Sequence, residues 1–217
     1  MKQMLHYNRN NRNDKAFANR LLAEHCMPVL LGIKPANTIT VYKSKIINQT
    51  TFIEYIASIA ISYDCNLWKL YEDGKMLLLI LYQPDQLIDI LNIYPNRQFL
   101  STYGYDIAED IVENALRCLE QRYLEYREQG AEFPHEMGIF LGYPLRDVEG
   151  FIENKGKNYL HQGYWKVYAD VEKAKETFLQ IHKAREIGKL SLARNHTLCY
   201  TTLKQMIPFL GERQGKE

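Results

Sequence analysis

Leu67-Trp68-Lys69-Leu70-Tyr71-Glu72-Asp73-Gly74-Lys75-Met76-Leu77-Leu78-Leu79-Ile80-Leu81-Tyr82 is the stretch that decides the fold. Two apolar and aromatic runs, Leu67 to Glu72 and Lys75 to Tyr82, flank Asp73-Gly74. That pair suits a two-residue turn with positive φ at both positions, so the segment is predicted to be a β-hairpin. In its second strand Met76, Leu78 and Ile80 point to one face, and Leu77, Leu79 and Leu81 to the other. Both faces are apolar. Such a strand belongs inside a sheet that is covered on both sides.

Upstream, Thr38 to Tyr42 is β-branched and short, and reads as a first strand. Thr51-Phe52-Ile53-Glu54 fits a capping box, in which the Thr hydroxyl and the Glu carboxylate satisfy each other's free amides. The helix it opens runs to about Tyr63 and is apolar nearly all round, which calls for packing on more than one side. Earlier still, Asp14 can cap a helix to about His25 with Phe17, Leu21 and Leu22 on its apolar face, and Pro28 is expected to stop it. His25 then sits near the negative helix end, suited to a cation.

Downstream of the hairpin, Pro84 opens a helix carrying Leu87, Ile88, Ile90 and Leu91. A short helix follows from Asn96 to Tyr103, and a long one from Asp106 to about Gln129 carries a stripe of Ile111, Val112, Ala115, Leu119 and Tyr123. Two short helices are bracketed by Pro134 and Gly142, then by Pro144 and Gly156. Tyr164 to Tyr168 reads as a strand, Asp170 caps another long helix, and Thr197 to Leu210 makes the last. The fold class is therefore α+β: a helix-rich single domain around a small mixed sheet of about four strands, one hairpin included. It is expected over 14–210, between a flexible polar arm (1–13) and a polar tail (211–217).

The totals narrow the function classes. With 27 basic and 26 acidic residues the formal net charge is +1, so no long-range field favours nucleic acid or an anionic membrane. Apolar runs such as Met76 to Tyr82 are too short to span a bilayer, and Met1 to Asn13 lacks the apolar core of a secretory signal. A cytoplasmic location is expected. Cys26, Cys65, Cys118 and Cys199 fit no zinc spacing and are expected to serve as small apolar side chains.

Glu132-Phe133-Pro134-His135-Glu136-Met137-Gly138-Ile139-Phe140-Leu141-Gly142-Tyr143-Pro144-Leu145 is distinctive. So are Gly150-Phe151-Ile152-Glu153-Asn154-Lys155-Gly156-Lys157-Asn158-Tyr159 and Gly163-Tyr164-Trp165-Lys166-Val167-Tyr168. With His25-Cys26-Met27-Pro28, Gly32 and Lys34, these segments resemble an uncharacterised bacterial family, domain of unknown function 3793, from about Phe17 to Arg185. The resemblance implies a bacterial, cytoplasmic context and no activity.

Chemistry must be sought in the residues. His135-Glu136 lacks the second histidine of a zinc-peptidase helix, since position 139 is Ile, so Glu136 is expected in a helix's first turn, where a carboxylate complements the dipole. Gly150 to Lys157 has the wrong glycine spacing for a phosphate loop, and Asn158 replaces the Ser or Thr that would hold magnesium. If 164–168 is extended, Tyr164, Lys166 and Tyr168 share one face. With Lys155 and Lys157 nearby, that face could stack on a planar ligand or hold an anion. The candidate ligand residues are thus His135, Glu136, Lys155, Lys157, Tyr164, Lys166 and Tyr168. No metal site is expected, the sequence leaves any cofactor unknown, and no catalytic residue can be assigned. The reading is a binding or regulatory domain, with a small anionic ligand or a protein as partner. Its rival is an enzyme on an anionic substrate, with His135 or Glu136 as acid or base.

Overall fold

The structure, a computed structural model, describes residues 13–106 and 111–195. The expected arm to residue 12, the helix at Thr197 to Leu210, the tail and Cys199 lie outside the described residues. The class is α+β. Three strands form one sheet in the order β1-β3-β2: β1 (Ala36–Tyr42), β2 (Asn66–Glu72) and β3 (Met76–Tyr82). All its pairings are antiparallel, with Thr38 opposite Ile80 and Leu67 opposite Leu81. A separate two-stranded ribbon joins β4 (His161–Gln162) to β5 (Lys166–Val167). The strands therefore divide into two antiparallel sheets instead of one mixed sheet, because the ribbon pairs only with itself.

The hairpin forms as expected, but its turn is centred one residue later, on Gly74-Lys75, and neither Asp73 nor Gly74 has a positive φ. Asp73 Oδ1 accepts from the amides of Lys75 and Met76, each at 2.7 Å. That carboxylate stabilises the turn, in which Asp73 N donates to Met76 O. A register shift between Lys69 and Tyr71 makes a bulge in β2, and consecutive Leu70 and Tyr71 are both buried in the same core.

β3 lies in the middle with both faces covered. Leu77, Leu79 and Leu81 meet α1, the helix over 13–30, and α2 (Gln49–Ile61). Leu78, Ile80 and Tyr82 meet α3 (Pro84–Asn92), α4 (Tyr94–Ser101), α5 (Ile111–Gln129), α6 (Met137–Phe140) and α7 (Leu145–Glu153). A last helix, α8 (Val171–Asn195), contributes Ala184 and Ile187 to the first core and Ala174 and Ile181 to a third, small one around Trp165 and Val167. Asp170 caps it, accepting from Lys173 N at 3.1 Å.

Several local expectations change. Asn48, not Thr51, caps α2, its side chain accepting from Thr51 N at 3.1 Å. That helix buries Phe52, Ile56, Ile59 and Ala60 on one side and leaves Ile61 exposed. Asp14 is buried, and its carboxylate accepts from Ile47 N and Asn48 N, binding α1 to the loop before α2. Nor does Pro28 stop α1: the helix takes a π turn at Leu22–Cys26 and continues over Met27–Leu30. Proline has no N–H, so the carbonyl of Glu24 lacks its helical donor. Arg185 Nε from α8 supplies one. His25 is accordingly mid-helix. Burial, then the Arg185 charge, push its pKa down, so it is not a helix-end cation.

Among the described residues, no helix is long and apolar enough to cross a membrane. Cys26 and Cys65 are buried in the core and Cys118 is half-buried; all three are free.

Candidate functional site

The segment from Phe133 to Tyr168 closes on itself beside the edge strand β1. Gly142 ends the α6 turn in a left-handed conformation, and α7 begins after Pro144. At the far end of α7, Lys155, Gly156 and Asn158 all have positive φ, which turns the chain back toward the ribbon. One residue holds the ribbon against α7. Asp147 is buried; its Oδ2 accepts from Trp165 Nε1 at 2.7 Å, and its Oδ1 accepts from the amides of Tyr168 at 2.7 Å and Ala169 at 3.1 Å. At Gly150 a Cβ would lie 2.5 Å from the Tyr168 ring, so only glycine lets the chain after the ribbon lie this close to α7.

Between α6, α7, the ribbon and Thr38 of β1 is a cavity of about 420 Å³. Its apolar wall includes Phe133, Met137, Leu141, Tyr143, Val148, Phe151 and Trp165, and its polar residues are Thr38, His135, Asp147, Gln162, Tyr164 and Lys166. Tyr143 stacks on Trp165 with ring centres 4.9 Å apart, so the two rings form one aromatic unit of the wall. The volume and the mixture of aromatic surface with a few polar groups are those of a small-molecule pocket.

Of the residues singled out from sequence, His135, Tyr164 and Lys166 line this cavity. The His135 ring lies between Phe133, at 5.1 Å, and Phe151, at 5.0 Å, and its nitrogens have no hydrogen-bond partner among the described residues. Lys166 Nζ donates to Gly156 O at 2.6 Å and lies over the rings of Tyr159, at 5.0 Å, and Phe151, at 5.7 Å. No carboxylate pairs with it among the described residues. Tyr164 packs edge-on against Phe178 of α8, with Arg185 over its ring.

The other candidates go elsewhere. Glu136 turns away from His135 and is buried, accepting from Arg122 Nε and, at 3.1 Å, from the Tyr105 hydroxyl. It occupies the N-cap position of α6 but makes no cap hydrogen bond, so its role is this buried pair and not the helix dipole. Lys155 and Lys157 are exposed and do not line the cavity. Tyr168 leaves the face of Tyr164 and Lys166, because 163–165 is a tight bend, with Gly163 N donating to Trp165 O, and not a strand. Its ring packs on Gly150 and borders a separate surface cleft with Arg146 and Asn154. Trp165 is a core residue that also forms part of the cavity wall.

Sequence reasoning missed Asp147 and Phe178. Asp147 reads as an ordinary first-turn acid of α7. Only the return of the ribbon supplies its three donors. Phe178 is one of many apolar residues on a long helix, and no local signal marks it.

A family model described as "Protein of unknown function (DUF3793)" matches residues 22–200. No curated protein and no solved structure matches the chain.

Proposed function

The chain belongs to the DUF3793 family, a family of unknown function, and we propose that it is a binding or regulatory domain for a small amphipathic anion with a flat apolar body. The observation that carries this reading is a cation in an aromatic cavity, Lys166, that no carboxylate pairs with among the described residues, the Asp147 carboxylate of the lining being bonded to Trp165, Tyr168 and Ala169. Lys166 is fixed by Gly156 O and two rings, and it has donors to spare. Tyr143, Trp165 and Phe151 give the cavity aromatic surface for an apolar body.

Binding is favoured over catalysis by the state of the acids and of the histidine. Asp147 and Glu136 are both committed to buried partners. A histidine acting as general base ordinarily has its tautomer set by an acceptor on the second nitrogen. His135 is instead held by ring contacts alone.

Calorimetry with naphthoate and its neutral isostere naphthamide tests the proposal. Naphthoate is expected to bind at least about tenfold more tightly, as a charge-assisted contact implies, and Lys166→Met is expected to erase the difference. Equal affinity for the two probes, or no binding of either, overturns it.

A further inference from the structure

One buried cation remains without a function. Lys34, in the loop between α1 and β1, is 8% exposed. Its ammonium donates to Asn37 Oδ1 at 3.0 Å and lies 5.4 Å from the ring centre of Tyr143. Among the described residues no carboxylate forms an ion pair with it. The groups that act on it electrostatically are the Cys26 thiol from α1, itself kept neutral by burial with its pKa pushed up to about 12, and the Arg185 guanidinium from α8. A buried ammonium beside a second cation and no anion is unfavourable in the free protein. Two of its neighbours lead to the cavity. Tyr143 is part of the aromatic wall, and Asn37 is adjacent to Thr38, which also lines the space.

Resting on the reading of the cavity as an anion site, we propose that Lys34 is its second electrostatic anchor, a cation one residue behind the Tyr143 wall whose missing counter-charge is the bound ligand's. Lys166 meets the ligand directly and Lys34 acts through the wall. The ligand class is thereby restricted to molecules already ionised at neutral pH, such as carboxylates, sulfonates and phosphate esters.

The consequence is a linkage between ligand and proton. Burial holds the Lys34 pKa down to about 8. A ligand charge beyond the stacked Tyr143 and Trp165 rings, on the order of 13 Å away, raises it by about one unit at an effective dielectric near 20. Between these two values binding must take up a proton. The affinity is therefore full below pH 8 and falls as pH rises through the free and bound pKa values.

Calorimetry of the full chain with naphthoate, in two buffers of different ionisation enthalpy, reads this directly. Wild type is expected to take up about half a proton at pH 8.5 and to bind severalfold more weakly at pH 9.5 than at pH 7. Lys34→Met is expected to bind naphthoate about tenfold more weakly at pH 7, with no proton uptake and unchanged affinity for naphthamide. Asn37→Asp, which gives Lys34 a permanent counter-ion, is a second route to the same loss of uptake and remains decisive if Lys34→Met does not fold. Naphthoate binding by wild type without proton uptake, or undiminished binding by Lys34→Met, overturns the role of Lys34 and leaves the cavity reading intact. Failure of wild type to bind naphthoate at all removes both.

Discussion

Lys34 shows how a single side chain can make a fold less stable than its sequence permits. Its pKa is lowered from 10.5 to about 8, chiefly by burial. Below pH 8 folded and unfolded chains both carry the proton, and the folded state bears the whole penalty. Between pH 8 and 10.5 the folded chain has shed a proton that the unfolded chain still binds, so this residue's contribution to stability rises with pH. A shift of this size corresponds to an upper limit of about 3 kcal/mol. Lys34→Met is expected to be about 1–3 kcal/mol more stable than wild type at pH 7, with the advantage shrinking by pH 9.5. Urea titrations of both proteins at the two pH values check this. A variant less stable than wild type at pH 7 contradicts it. The comparison must be a difference between proteins, because the raised Cys26 and Cys65 thiols act with the opposite sign above pH 9.

Elements are joined here by polar contacts that no single segment reveals. Arg122 of α5 and Glu136 at the start of α6 form an ion pair in which the carboxylate is 1% exposed. Tyr105 donates to the same oxygen, and its phenol is held well above its usual pKa by burial and then by the Glu136 charge. Removing one partner of such a pair leaves a buried charge uncompensated. Arg122→Met is expected to lower stability by about 3–5 kcal/mol, and the double variant Arg122→Met/Glu136→Gln to recover part of that loss. Chemical denaturation of the two variants measures it; a double variant no more stable than the single one argues against a charge penalty. The same principle explains why sequence misplaced Glu136. Its dipole role was inferred from position alone, whereas the guanidinium that claims it lies 14 residues away. In α1, likewise, Pro28 looks like a stop because the missing amide ought to end the ladder. Arg185, 161 residues distant from Glu24, caps the freed carbonyl and lets the helix continue.

For the whole molecule, β3 is the mechanical centre, since it divides the two larger cores and has a strand on each side. Leu79, 1% exposed, is expected to cost about 2–5 kcal/mol when truncated to Ala, and the β3 amides should exchange with solvent more slowly than those of the ribbon. Hydrogen exchange of wild type and Leu79→Ala tests both; fast exchange in β3 contradicts the assignment. What the sequence by itself determined is local in origin: the hairpin, the two apolar faces of β3, the Asp170 cap and the glycine and proline boundaries from 134 to 156. Each depends on neighbours within a few residues, where backbone sterics and side-chain periodicity act. Tertiary structure alone decided that the ribbon stands apart from the main sheet, that Asp147 receives Trp165, and that His135 and Lys166 share a cavity while Glu136, Lys155 and Lys157 do not. Those outcomes turn on which distant group satisfies a buried donor, acceptor or charge, and burial is a property of the assembled chain rather than of any segment.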